Sequence, residues 1–362
     1  MKIKKGFVFV YYCFDVADNI SIESIHKILG KKGESCIISS SRIDSDFVQY
    51  SKSPLFFKLG SFSTKKFGKI TVDAKVYDFG VISLRLSLPF SGATSELEKA
   101  SRSIIYEGVL EEEARKYMRR IKKELSQTMT NPREHSEPFE SYCIFYVMEF
   151  EKERSVQNLL NRHQKDIARI IKPDLRQLSN TEIKESIQNN LSYYADDLVI
   201  IDFNASFIYD KNLTFDILDV LEFAVINSLE LTYYDSVLDK SLESSHEDIS
   251  NLKRQNMIFS INPYGKTLQN LLQVKLDVSD VIDKMSNSLK LIGELYLAKV
   301  FSKATKIFYL NAWKASIKSK LKTITSTYEM LSSRQTNRQM VILETAIVLL
   351  FILDIILLFA GL

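Results

Sequence analysis

Asp196, Asp197, Asp202 and Asn204 gather in one short stretch of the chain, ADDLVIIDFNASFIYD (195–210). In a strand, Asp202 and Asn204 share a face, and Asp197 enters that face from the preceding turn. Carboxylates converging in this way could hold Mg²⁺ through oxygen ligands, so Asp197 and Asp202 are the metal candidates. Acids flanking an apolar strand equally mark where it meets water. No nucleophile or histidine accompanies them, so a metal-dependent enzyme ranks third among the readings.

A second cluster is cationic. EEEARKYMRRIKKEL (111–125) sets Arg115, Arg119, Lys122 and Lys123 on adjoining helical turns, within reach of phosphates such as those of RNA or a ribosome. The acids just upstream, Glu111–Glu113, offer i,i+4 partners, Glu112 with Lys116 for instance, which explains the same pattern structurally. Cys13, Cys36 and Cys143 are far apart, as are His26, His135, His163 and His246. None has the spacing of a zinc site, and the three cysteines fit a reducing compartment. Gly30 and Gly33, in LGKKGES, lack the Gly-Lys-Ser/Thr of a phosphate-binding loop. No catalytic residue and no cofactor-binding motif is assigned.

The chain that must position these groups is 362 residues long, 45% hydrophobic and 26% charged, with 48 basic and 45 acidic residues. That composition folds, and its small basic excess argues against a generic nucleic-acid binder. Gly and Pro together number 17 residues, well below the roughly 12% of average usage, so long helices are expected. The clearest segment is MVILETAIVLLFILDIILLFAGL (340–362), charged only at Glu344 and Asp354. As a helix it would be about 34 Å long, enough for a hydrocarbon core of about 30 Å. A tail anchor bound to membrane lipid is expected. Lys314, Lys318, Lys320, Lys322, Arg334 and Arg338 precede it, so the N-terminal domain should be cytoplasmic or its equivalent. Glu344 can snorkel to the headgroups, whereas Asp354 lies deep enough to need a partner or another helix.

Upstream, FVFVYYCF (7–14) reads as a buried strand and Ser21–Leu29 as a short helix capped by Ser21. Leu55–Leu59, Ile70–Tyr77, Val81–Leu88 and Tyr142–Phe150 read as strands, with Gly80 turning between the second and third. Ser95–Met129 reads as one long helix with a Ser95/Glu98 capping box. Helical patterns follow at Ser155–Ile171 and Thr181–Leu191. A strand return is expected around Asn204, which tolerates positive φ. Ile217–Leu242 reads as a helix that the polar stretch Glu243–Asn251 ends, and Val278–Val300 as another. Leu310, Ile317, Ile324 and Leu331 repeat every seven residues, the seam of an antiparallel hairpin or of a parallel oligomeric stalk.

Three stretches carry a family resemblance. VYDFGVI (76–82) resembles an aromatic-x-x-Gly-Val strand turn. DDLVIIDFNASFIYD, followed by LDVLEFAVINSLELTYYD (218–235), is similar to a central signature. Leu343, Glu344 and Asp354 resemble a closing Leu-Glu with a second acid ten residues on, although Asp354 stands where Glu is expected. The chain thus resembles the "required for meiotic nuclear division" family and its mitochondrial and bacterial relatives, over about residues 5–30 and 70–362. The resemblance implies a membrane-anchored, self-associating α+β protein of unknown biochemical activity, with some mitochondrial relatives linked to translation at a membrane. It carries over no catalytic residues.

Together these readings predict an α+β fold: an antiparallel sheet with helices on one face, then long C-terminal helices and one transmembrane helix. Residues 1–210 form the α+β domain, 211–339 a helical hairpin or stalk, and 340–362 the anchor. The expected function is a tail-anchored, self-associating scaffold, with an RNA- or ribosome-contacting tether as the rival.

Overall fold

The computed structural model describes the chain except for residues 26, 28–38, 42–47, 51, 134–136, 153–154, 175, 255–263, 292–294 and 361–362. His26, Gly30, Gly33, Cys36, His135 and the end of the 21–29 helix therefore lie outside the described residues. So do Ile292 and the last two positions of the 340–362 segment. The strands are β1 (Lys2–Asp15), β2 (Ala17–Ile20), β3 (Ser39–Ser41), β4 (Val48–Tyr50), β5 (Leu55–Thr64), β6 (Gly68–Val76), β7 (Val81–Ala93), β8 (Met129–Pro132), β9 (Phe139–Phe150), β10 (Asn190–Leu191), β11 (Leu198–Ile201), β12 (Ala205–Tyr209) and β13 (Leu289–Leu291). The helices are α1 (Thr94–Ile105), α2 (Glu111–Leu125), α3 (Val156–Arg162), α4 (Gln164–Ile171), α5 (Asn180–Gln188), α6 (Phe215–Arg254), α7 (Gly265–Ser288), α8 (Leu295–Ile307) and α9 (Leu310–Ala360).

The chain divides into two compact units. The first comprises Met1–Leu231 with Asp283–Asn311, and the second Thr232–Ile282 with Ala312–Leu362. The first is built on a sheet of order β10-β11-β12-β9-β1-β7-β6-β5-β3, antiparallel except where β12 runs parallel to β9. β1 is central because it pairs along its length with both β7 and β9. Its FVFVYYCF run is apolar without alternation because both faces are covered. Val8, Val10, Tyr12 and Phe14 enter a core with Leu97 of α1, Met118 and Ile121 of α2, and Ile167 and Ile170 of α4. The opposite face meets α6, where Lys75 of β6 bonds Asp219 and Glu222. The fold is α+β as the sequence indicates, with α1, α2 and α4 on one face of the sheet and the long helix α6 on the other.

Local chemistry explains where the elements start and stop. Ser21 caps its short helix by accepting the Ser24 N–H at 3.2 Å, and Ser155 and Ser179 cap α3 and α5 in the same way. The 95–129 pattern is two helices, not one. They are broken at Gly108, whose φ of +59° favours glycine. The acid that closes the N-terminus of α1 is Glu96, accepting the Ala93 N–H at 2.9 Å, two residues earlier than the Ser95/Glu98 pair. The 202–204 return is the expected hairpin of β11 with β12, but Asn204 is not among the described residues with positive φ. α6 continues through the polar stretch 243–251, where the buried Ser245 hydroxyl donates back to the Ser241 carbonyl. The 278–300 pattern is interrupted: Asn287 and Ser288 are weak helix formers, and 289–291 pairs with β4 instead.

In the second unit, Leu238 of α6, Leu271 and Val278 of α7, and Ile317, Ile324 and Leu331 of α9 are buried. Asp235 accepts from Ser316 at 2.7 Å and pairs with Lys320 at 2.8 Å. Ile317, Ile324 and Leu331 of the heptad seam are thus covered by other helices of the same chain.

Gly80 turns β6 into β7 at a φ of +97°, and a Cβ there would stand 1.8 Å from the Ala17 carbonyl oxygen. Gly80→Ala is therefore expected to cost at least about 2 kcal/mol from backbone strain alone, read as a lowered denaturation midpoint. An unchanged midpoint would contradict this account of the turn.

Candidate functional site

The two acids singled out as metal candidates do different local work. Asp197 Oδ1 accepts the backbone N–H groups of Tyr193 and Tyr194 at 2.7 and 3.2 Å. Its carboxyl is raised, chiefly by burial and then, against those two bonds, by the charges of Asp210 and Asp196. Asp202 caps the hairpin through the Phe203 N–H at 2.6 Å and pairs with Lys172 at 3.1 Å. Asp196 pairs with Lys211 at 3.2 Å. Asp197 and Asp196 line a cavity of about 380 Å³; Asp202 is not among its lining residues. Among the described residues, no three His, Cys, Asp or Glu side chains converge as metal ligands.

The cations of α2 lie beside acids. Arg115 pairs with Glu111 at 2.8 Å and stacks over the Phe139 ring at 4.4 Å. Arg119 reaches Glu112 at 3.1 Å, and Lys122 reaches Glu137 at 2.5 Å. Lys123 is exposed. The helical i,i+4 explanation holds for Arg115, and Lys122 is drawn to a loop acid instead.

Most of the exposed large apolar side chains among the described residues lie on α9. Its most apolar window has a mean hydropathy of 2.8, and none of that window is buried. Leu349 is 60% exposed, Phe351 65%, Leu358 78% and Phe359 85%. A core helix would cover such side chains, and contiguous apolar surface on this scale marks a binding or membrane face. The Thr345 hydroxyl donates to the Val341 carbonyl at 2.8 Å, so it needs no water. Glu344 and Asp354 are exposed on the same helix, ten residues and thus about 80° apart. This is a helix long and apolar enough to cross a membrane.

Sequence reasoning missed the polar groups buried in the first unit. The Lys75 ammonium lies 2.6 Å from Asp219 and 2.8 Å from Glu222, all three almost fully enclosed. Arg85 pairs with Asp73 at 2.9 Å and stacks over Phe215 at 5.0 Å. Elsewhere Arg133 joins Asp15 and Asp18. Glu230 is fully buried, with neither carboxylate oxygen hydrogen-bonded among the described residues. Burial, with the Asp15 charge adding to it, holds the Glu230 carboxyl well above the usual range. Burial likewise pushes Asp15 up to about 6, against the pull of Arg133. The signal was present: Asp219, Glu222 and Glu230 interrupt the largely apolar stretch 217–231 of α6.

Two outcomes follow from these buried groups. Lys75→Met leaves two carboxylates enclosed without their cation and is expected to cost about 3–5 kcal/mol. Asp15 and Glu230 keep protons in the fold that the unfolded chain releases above their ordinary values of 3.8 and 4.5. Stability should therefore fall as pH rises from about 4 to beyond 6. Denaturation in detergent across that range should show a shallower decline for Glu230→Gln, and identical slopes would refute the assignment.

A family model described as "Uncharacterized protein MJ0711, N-terminal domain" matches residues 5–216. Uncharacterized protein MJ0711 of Methanocaldococcus jannaschii is 26% identical over 220 residues, covering 60% of this chain and 65% of that protein. The chain thus spans just under two thirds of that relative's length. No solved structure matches.

Proposed function

We propose, for a chain that belongs to the family of the MJ0711 N-terminal domain, that it is a single-span membrane scaffold whose sheet unit stays on the basic side of the bilayer. The observation that carries this is the uncovered apolar surface of α9. Between Val341 and Phe359 fifteen residues are Leu, Ile, Val or Phe, each favouring insertion by about 0.3–0.6 kcal/mol at the helix centre. Two acids oppose them at up to about 3 kcal/mol each, and Glu344 lies near the end, where the cost is smaller. The cations from Lys314 to Arg338 support a cytoplasmic or equivalent placement of the sheet unit.

Because the heptad seam is filled within the chain, self-association rests on the span itself, where Asp354 gains from a partner helix. The likeness to the meiotic-nuclear-division family, carried in part by Leu343, Glu344 and Asp354, supports the same reading. An RNA- or ribosome-contacting tether would have to free Arg115, Arg119 and Lys122 from Glu111, Glu112 and Glu137, so it is the weaker reading.

Deleting 340–362 should move the protein from the membrane pellet to the supernatant, and a truncated chain still resisting alkaline extraction would sink the anchor. In mild detergent, Asp354→Leu should weaken dimerisation by about 1–2 kcal/mol. A wild-type chain that is monomeric at every concentration would remove self-association while leaving the anchor intact.

A further inference from the structure

The cavity of about 380 Å³ in the first unit is built from two loops and the starts of two helices, α6 and α8. The loop before β11 supplies Tyr193, Tyr194, Asp196 and Asp197; the loop after β12 supplies Asp210 and Lys211; α8 supplies Tyr296. Its volume falls in the range of small-molecule sites, roughly 300–1,000 Å³. Three aromatic rings form one wall: Tyr193 meets Tyr194 at 4.7 Å and Tyr296 at 5.3 Å between centroids. Tyr193 is 56% exposed and Tyr194 65%, so this wall faces the opening.

The polar lining is one-sided in charge. Asp196, Asp197, Asp210 and Asp216 stand against a single cation, Lys211. Asp197 and Asp210 are held in place by the backbone and by neutral donors. Asp197 takes the two loop N–H groups, and Asp210 accepts from the Asn212 N–H at 2.9 Å and the Thr214 hydroxyl at 3.0 Å. Such donors orient a carboxylate without cancelling its charge. Burial, and then the charges of Asp197 and Asp210, push the Tyr296 hydroxyl up, as expected where negative potential concentrates.

Aromatic faces attract organic cations and cover methylene groups, while carboxylates set along a cavity receive ammonium groups. We propose that this cavity binds a short aliphatic polyamine, its methylenes on the tyrosines and its ammonium groups at the aspartates. A polyamine uses several separated carboxylates at once, which a single quaternary ammonium does not. Lys211 already occupies Asp196 with the same chemistry, a side-chain ammonium on an aliphatic stem.

The test is calorimetric titration of the full chain in detergent with spermidine, at fixed ionic strength. Saturable one-to-one binding is expected, weakened about tenfold or more by Tyr194→Ala and by Asp197→Asn, which keeps an acceptor for the loop N–H groups. Tyr106→Ala, an exposed tyrosine elsewhere, should leave it unchanged. Lys211→Met should tighten binding by roughly fivefold, since one competing charge leaves; a merely destabilised loop would not bind more tightly. No saturable heat, wild-type affinity in Tyr194→Ala, or equal displacement by Mg²⁺ would each overturn the proposal, the last reducing the site to a bare acidic patch. Displacement by tetramethylammonium at equal concentration would also overturn it, because the aspartate spacing would then contribute nothing.

Discussion

A central strand covered on both faces puts a cost on every charge beside it that lacks an opposite charge inside the protein. β1 lies between β7 and β9, with one face on α1, α2 and α4 and the other toward α6. Lys75 and Arg85 project from their strands toward α6, Lys75 almost fully enclosed and Arg85 mostly so. An unpaired charge in such a place costs several kcal/mol. Asp219 and Glu222, one turn apart on α6, meet the lysine, and Asp73 meets the arginine. α6 is therefore oriented by charge as well as by its leucines, an arrangement that favours one docking geometry over the many that apolar packing allows.

The apolar surface of α9 is the same rule seen from the other side. Within the second unit, the side chains of Ile317, Ile324 and Leu331 are covered, and Asp235 fixes the neighbouring turn through Ser316 and Lys320. Beyond Met340 the side chains are as apolar and nothing covers them. One helix thus changes its solvent along its length, from the second unit's own core to a medium that must be apolar if the exposed leucines are not to be penalised. The backbone needs no help in that medium, because helical hydrogen bonds are satisfied within the segment.

The fold class was readable because periodicity reports burial directly. The continuous apolar run at 7–14, the Gly80 turn and the hairpin at 198–209 depend on neighbours close in sequence, and each stands in the structure. Boundaries were less readable where a single residue decided them. Gly108 splits an otherwise helical stretch, and Asn287 with Ser288 lets 289–291 leave the helix for a strand pairing. The acids of 195–210 were visible as a cluster, but not their division of labour. Whether Asp202 meets a cation depends on Lys172, thirty residues away.

Composition and local spacing alone determined that this chain folds, that it mixes strands with long helices, and that its 340–362 segment prefers an apolar medium. Those properties are sums over neighbouring side chains, so one dimension suffices to read them. Tertiary structure alone decided that Lys75 meets Asp219 and Glu222, that Glu230 is buried beyond water, and that Tyr296 closes the wall begun by Tyr193 and Tyr194. Lys75 lies 144 and 147 positions from its two acids, and Tyr296 more than 100 from the other two rings, all brought together only after the sheet and helices have packed. Coulomb and aromatic contacts act over a few ångströms, and sequence separation says nothing about such distances until the fold has set them.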